Sequence, residues 1–332
     1  MSTRSMRSAS MLAPSRHEMC QFICTFILSF KIDIFMGIVN RPRYQSPPAG
    51  CRDWAGLAHG VVYEGWIRSA SEGQITALLI HGTASDRWTW EPLIEALPLG
   101  IGLLAIDLPG HGLTALPRGD GGALDTRRFQ LDSLARDCIA LLGQLSGVRS
   151  PIVVGHSAGA AVALAVAQET KTLKGVVGLA PSLVPPPSTY SLMLAPLFNP
   201  LFTNPLSLRA MSLLCAVPGV LSSILDSMGG ALSQEVRDHY RDLLSRPEHL
   251  AGAMHFMAEM NLPRLLEGAA WDLIPCRLLA AADDQWIPIE PLTKCIERSL
   301  PSAHLEILPE GGHLFHELDP ARAAHIVEDL MA

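Results

Sequence analysis

The chain has 332 residues, of which 48% are hydrophobic and only 17% charged, and its formal net charge is −7. Roughly 25% charged is usual for soluble domains, so the apolar excess points to a buried parallel sheet plus further apolar surface for a greasy ligand, a partner or a membrane. An acidic balance with no Lys/Arg-rich run argues against a nucleic-acid partner. The length suits one large α/β domain or a domain with an insertion. Seven scattered cysteines (20, 24, 51, 138, 215, 276 and 295) read as reduced thiols in a cytoplasmic compartment. With no CxxC pair and no HExxH helix, no zinc site is expected, and no cofactor is called for.

Residues 1–35 differ from the rest: a Ser/Arg-rich start, then the apolar run QFICTFILSF, too short to span a bilayer and followed by Lys31 and Asp33. A signal peptide could use Arg4, Arg7 and Arg16, but no A-x-A-like cleavage site follows. The segment reads as a disordered or non-native extension ahead of Met36. From residue 60 the pattern becomes regular: strands at GVVYEGWIRS and ITALLIHG, a helix at WTWEPLIEALP, a strand at GLLAID and a helix at LDSLARDCIALLGQL. PIVVGHS (strand), AGAAVALAVAQET (helix) and KGVVGLAP (strand) follow. CRLLAAADD and HLEILPEGGH are two more strands with a helix between them, and a helix over 320–331 closes the chain. Short apolar strands alternating with helices imply right-handed crossovers and a mostly parallel sheet flanked by helices. Residues 183–270 break the rhythm with the Pro185–Pro187 cluster and several helical stretches, and read as a helical cap inserted between strands. The core then falls into two parts, 36–182 and 271–332.

Gly155-His156-Ser157-Ala158-Gly159 sits where a β-branched run turns into an alanine-rich helix. Glycine inside either element costs about 0.5–1 kcal/mol, so this corner needs small residues for another reason. A G-x-S-x-G between strand and helix is a nucleophile elbow, a sharp turn that exposes a serine hydroxyl above the sheet. Serine needs a histidine to take its proton and a carboxylate to orient that histidine, in the chain order Ser, acid, His. Asp284 begins an Asp-x-x-apolar-Pro turn after the next long strand, with Asp283 as the alternative acid, and His313 follows two glycines past the last strand. His316 is expected to pack at the start of the closing helix. The oxyanion donors are expected to be the N–H groups of Ala158 and Thr83. His81 and Gly82 are expected to shape the loop before Thr83, and Asp107 and His111 in DLPGHG to be structural.

With these motifs in order, the chain resembles the α/β-hydrolase superfamily from about residue 60 to its end. More narrowly, VNRPRYQSPPAGCRDW, HGTASDRWTW, DLPGHGLT, VGHSAGAAVALAVA and the proline-rich helical insert are similar to the magnesium-chelatase accessory proteins of bacteriochlorophyll biosynthesis, over 36–332. The resemblance implies the α/β-hydrolase fold and a role in or near magnesium insertion into protoporphyrin IX in a phototroph. It leaves two classes open. One is a serine hydrolase of a hydrophobic ester or acyl substrate. The other is a non-hydrolytic accessory protein that binds a tetrapyrrole or magnesium-chelatase subunits, with peripheral membrane contact as a further option. A generic carboxylesterase, a C–C bond hydrolase and a haloperoxidase are lookalikes of the same fold. Epoxide hydrolases and dehalogenases usually place Asp where this chain has Ser157. Arg209 and Arg264 in the insert are candidates to meet propionates, or are ordinary surface charges. Leu, Met and Phe side chains of YSLMLAPLFNPLF and AMHFMAEM are candidates to line the pocket.

Overall fold

Eight strands assemble in the computed structural model: β1 (Arg52–Ala58), β2 (Val61–Arg68), β3 (Ala77–Ile80), β4 (Leu103–Ile106), β5 (Ile152–His156), β6 (Gly175–Leu179), β7 (Cys276–Ala281) and β8 (His304–Leu308). They form one sheet in the order β1-β2-β4-β3-β5-β6-β7-β8. β3 pairs parallel with β4 and β5, and the parallel pairing continues through β6, β7 and β8. β2 runs antiparallel to β1 and β4. Every residue of β3, β4, β5 and β6 is buried, as expected of strands covered on both faces. The structure describes residues 47–70, 74–145, 147–148, 150–187, 205–215, 217, 219–229, 232–267 and 274–331, all within a unit spanning 46–332. Residues 1–35 and the stretch YSLMLAPLFNPLF lie outside the described residues.

The helices follow in chain order. The segment WTWEPLIEALP divides into a 3-10 turn (Arg87–Trp90) and α1 (Glu91–Ala96), which Pro92 opens. α2 (Leu131–Gly143) and α3 (Ala158–Glu169) come next. Between β6 and β7 lie α4 (Pro205–Cys215), α5 (Val220–Ser227), α6 (Gln234–Ser245), α7 (Pro247–Glu259) and α8 (Leu262–Glu267). α9 (Ile289–Ser299), α10 (Phe315–Leu318) and α11 (Pro320–Met331) complete the chain. One core face is covered by α2, α3 and α9 through Leu134, Leu141, Val162, Leu292 and Ile296. The other is covered by α1 and α11 through Leu93, Ile94, Ala323 and Val327. A third cluster joins Leu208, Leu225, Leu243 and Met254 of the inserted helices to Leu314. Among the described residues, no helix is long and apolar enough to cross a membrane.

Two features of the sheet differ from the sequence reading. The sheet begins one strand earlier: β1 pairs with β2 across a two-residue turn at His59 (φ 43°) and Gly60 (φ 85°), the type I′ hairpin geometry. Its residues alternate only weakly because it is a half-exposed edge strand. The hairpin is tied to α2 by the fully buried Asp137, which accepts from the Tyr63 hydroxyl at 2.6 Å, lies 2.6 Å from His59 Nδ1 and pairs with Arg128. A buried carboxylate is tolerated when it is compensated in this way. The second difference lies in HLEILPEGGH, where β8 ends at Leu308 and the rest is loop.

β3 lies between β4 and β5, so the chain leaves it in one direction and returns on its other side. Such a reversal opens a crevice at the carboxyl ends of the strands. The alanine-rich α3 packs closely there. A Cβ on Gly159 would lie closer than 3.0 Å to the carbonyl oxygens of Ile80 and His81, and one on Gly155 would be as close to the Gly159 carbonyl. Gly143, at the end of α2, has nothing within 4 Å of such a Cβ. Gly159→Ala is therefore expected to destabilise the protein by about 1–3 kcal/mol through overpacking. Gly143→Ala should stabilise it by a few tenths to about 1 kcal/mol through helix propensity. Urea unfolding of the two variants checks the opposite signs.

Candidate active site

Ser157 caps β5 and precedes α3 with φ 52° and ψ −119°, a conformation rare for a non-glycine residue. The surroundings over-determine it. Its N–H donates to the Leu179 carbonyl at 2.9 Å, and its own carbonyl accepts from Ala160 and Ser182 N–H groups, each at 3.1 Å. Strain of about 1–3 kcal/mol is held in place this way, and the hydroxyl is turned out of the strand.

The structure brings Ser157, His313 and Asp284 together. His313 Nε2 lies 3.0 Å from Ser157 Oγ, and His313 Nδ1 lies 2.8 Å from Asp284 Oδ2. An ionised carboxylate only accepts, so Nδ1 carries the proton and Nε2 presents its lone pair to the serine hydroxyl. The other oxygen of Asp284 accepts from the N–H groups of Trp286 (2.8 Å) and Ile287 (3.1 Å), which aims the carboxylate at the imidazole. Asp283 points elsewhere: its Oδ1 accepts from Gly312 N–H at 2.8 Å. Adjacent in sequence, the two aspartates thus divide the work, one holding the ring and the other the loop that delivers it. Gly312 takes φ 65°, and a Cβ there would run into the carbonyl of Met228. The His313 N–H donates to that same carbonyl at 2.6 Å.

Thr83 follows Gly82, on which a Cβ would stand 2.9 Å from the Cβ of Ser157, so the loop after β3 lies against Ser157. Ala158 N–H is the first of α3 and lies outside its intrahelical ladder. These are the two N–H groups expected of an oxyanion hole, and the positive end of the helix dipole adds to them. His81 shapes the loop: its Nδ1–H donates to the Gly82 carbonyl at 2.7 Å, and its Nε2 accepts from Leu108 N–H at 2.9 Å. Asp107 accepts from the N–H groups of Arg87 (2.7 Å) and Leu113 (2.9 Å) and pairs with the Arg87 guanidinium at 3.0 Å, holding the DLPGHG turn. His111 is buried between the rings of His81 and His249, each centroid at 5.1 Å. Burial pushes His81 and His249 down to about 4, and His111 well below its ordinary value. All three are neutral.

The inserted helices meet these loops. Trp286 Nε1 donates to Ser227 Oγ at 3.0 Å, and the Thr83 hydroxyl lies 3.1 Å from Met257 Sδ. Within AMHFMAEM, Met254 and Phe256 are buried. Arg264 is exposed and lies 3.8 Å from Asp132, and Arg209 is exposed on α4.

Sequence reading missed a polar network beside the site. His316 is not at the start of the closing helix; it is fully buried in α10, a separate short helix, with Nε2 2.9 Å from Thr89 Oγ1. The Thr89 hydroxyl donates to Glu317, as does the Tyr240 hydroxyl of α6 at 2.7 Å. His239, one residue earlier, pairs with Asp86 at 2.9 Å. The only local signal is HELDP beside His313; the partners lie on distant segments. Burial pushes the Glu317 carboxyl up to about 7, outweighing the two hydroxyl donors. A carboxyl raised in the folded state stabilises fully below its unfolded value, about 4.5, and that contribution is lost as pH rises through 7. Glu317→Gln keeps an acceptor for both hydroxyls. Its stability relative to wild type is expected to rise from near zero at pH 4.5 to on the order of 2–3 kcal/mol at pH 8. Urea unfolding at both values checks this, and a pH-independent difference would contradict it.

Comparison with known proteins agrees with this fold. The chain is 28% identical over 241 residues to the magnesium-chelatase 30 kDa subunit of Rhodobacter capsulatus, covering 73% of this chain and 81% of that one. Among solved structures, an alpha/beta hydrolase fold protein from Burkholderia ambifaria superposes with a TM-score of 0.65 at 21% identity, covering 83% of this chain and 97% of the other. The Cif epoxide hydrolase from Acinetobacter nosocomialis does so at 0.69 and 15%, covering 86% and 90%. At these identities the two structures are evidence of fold alone. A family model described as the alpha/beta hydrolase family matches residues 77–326, three quarters of the sequence. On this match, and with its parallel sheet and strained elbow, the chain belongs to the alpha/beta hydrolase family.

Proposed function

We propose that the protein is a serine hydrolase that cleaves an ester or related acyl bond of a hydrophobic substrate. One observation carries this reading: the unbroken hydrogen-bonded line Asp284–His313–Ser157, with steps of 2.8 and 3.0 Å, mounted on a strained elbow. In the first half-reaction Ser157 Oγ attacks the acyl carbonyl while His313 Nε2 takes its proton. Asp284 steadies the imidazolium, and the Thr83 and Ala158 N–H groups receive the oxyanion. His313 then protonates the leaving alcohol and an acyl-serine remains. Water, deprotonated by His313, attacks that ester, and the proton returns to Ser157 as the acid departs. Met257 beside Thr83 supports an apolar acyl or alcohol group at the site. A serine at the elbow disfavours epoxide and haloalkane chemistry, which rests on a carboxylate nucleophile.

A fluorophosphonate probe tests this directly. Wild type is expected to be labelled, Ser157→Ala and His313→Ala to show no labelling, and Asp284→Asn to lose about 10³–10⁴-fold in rate through a wrongly held imidazole. Asp283→Asn keeps an acceptor for Gly312 N–H and should lose far less. Labelling that survives Ser157→Ala, or damage from Asp283→Asn matching that from Asp284→Asn, would contradict these assignments.

The likeness to the magnesium-chelatase 30 kDa subunit supports a second reading. In it the protein serves magnesium insertion into protoporphyrin IX for bacteriochlorophyll, binding a tetrapyrrole or chelatase subunits, with its hydrolase machinery acting on an ester of that pathway or idle. Saturable binding of protoporphyrin IX at micromolar concentration, seen by fluorescence titration of both wild type and Ser157→Ala, is the expected result. No saturation, together with normal pigment in a deletion strain, leaves the general hydrolase alone.

A further inference from the structure

We propose that His156 is a positioning residue for His313, its Nε2–H pinning the peptide that delivers the base to Ser157; the proposal rests on the hydrolase reading above. His156 directly precedes Ser157, and the elbow turns its side chain under the base loop, where it is 2% exposed. Its Nε2 lies 3.0 Å from the carbonyl oxygen of His313. A carbonyl only accepts, so Nε2 carries the hydrogen and Nδ1 the lone pair.

This contact closes a short ring. Ser157 is bonded to His156, His156 holds the His313 carbonyl, and the His313 imidazole reaches back to Ser157 Oγ at 3.0 Å. One covalent link and two hydrogen bonds therefore set how far the base can stray from the nucleophile. The restraint matters because Gly311 and Gly312 precede His313, both at positive φ, and glycines leave a loop conformationally free. The carbonyl of His313 is held from the sheet by His156, and its N–H from the inserted helices by the Met228 carbonyl at 2.6 Å. The ring also touches the oxyanion loop, since a Cβ on Gly82 would stand 3.0 Å from His156 Nδ1. Among the described residues that nitrogen has no hydrogen-bond partner, as a lone pair facing a bare glycine would not.

The ring is kept in place and kept neutral. The His316 ring lies over it at 4.1 Å and 35°, and His316 is itself tied to Thr89. Burial, then the neighbouring His316 and His313, push the His156 pKa well below the ordinary histidine value. His156 thus adds no positive charge beside the imidazolium that forms on His313. An apolar ring of similar size would fill the same space; only the need for a donor at this point calls for histidine.

The test compares a side chain that keeps a donor with one that does not, in the full chain, using the second-order rate of fluorophosphonate labelling between pH 5 and 9. The groups around the pin that titrate or carry charge are His313, His316, His81 and Asp284. His156→Gln retains an amide N–H and is expected to label within about 5-fold of wild type, with the same pH midpoint. His156→Leu is expected to label on the order of 30–100-fold more slowly, as a misplacement of about 1 Å would produce. Its pH midpoint should also move, because the His313 imidazole no longer holds the same relation to Asp284. A leucine variant with wild-type rate and midpoint overturns the proposal, and so does a glutamine variant as slow as leucine. Should the leucine variant fail to fold, glutamine decides alone: within about 5-fold supports the pin, and a larger loss overturns it. A wild-type protein that is not labelled at all overturns the hydrolase reading first and the pin with it. Normal labelling of wild type and His156→Leu overturns the pin only.

Discussion

The candidate site depends on a steric constraint at the crossing of β3, β5 and α3. Gly155, Gly159 and Gly82 each leave less than or about 3.0 Å for a side chain. In return the loop that carries Thr83 lies on the back of Ser157, and α3 starts directly beneath the hydroxyl. The serine is forced to φ 52°, and the bonds to Leu179, Ala160 and Ser182 keep it there. A looser corner would let the backbone relax and turn the hydroxyl back toward the strand. The alanine-rich helix has the same origin: larger side chains would push α3 away from the sheet and open the elbow.

Around that corner the protein buries many histidines and keeps them uncharged. His81, His111, His249, His156 and His316 all have depressed pKa values, with burial the largest cause in each. In a low-dielectric interior a charged imidazole without a counter-ion would be costly. Neutral rings supply directional donors and acceptors instead, such as His81 to Gly82 and Leu108, and His156 to His313. His313 has the Asp284 carboxylate facing it at 2.8 Å. In the proposed reaction this makes His313 the imidazole that takes the proton.

The inserted helices complete the site. α6 reaches the core through His239 on Asp86 and Tyr240 on Glu317, and the residue after α5, Met228, holds the His313 peptide. Glu317 belongs to the same short helix as His316, so the base loop is fastened between the sheet and the insertion. Motion of the insertion would therefore act on the base itself as well as on access to it.

The elbow and its partners were legible in the chain because local rules bind them to the sheet. A glycine-flanked serine between a β-branched run and an alanine-rich helix points to a sharp strand-to-helix turn, and strand ends on a parallel sheet converge on one edge. That placed Ser157, Asp284 (with Asp283 as the alternative) and His313 on neighbouring loops. β1 was not legible: an edge strand with one covered face carries little hydrophobic alternation, and its pairing depends on β2. The spacing from Asp284 to Pro288 favoured Asp284 over Asp283 as the acid, and the Trp286 and Ile287 amides that aim its carboxylate at the ring belong to that same turn. Thr89 with His316, and Tyr240 with Glu317, are 227 and 77 residues apart, so no spacing rule connects them. Periodicity and turn chemistry are short-range properties and reach the letters directly. Which buried polar group faces which is settled when distant segments pack and each must find a partner out of water.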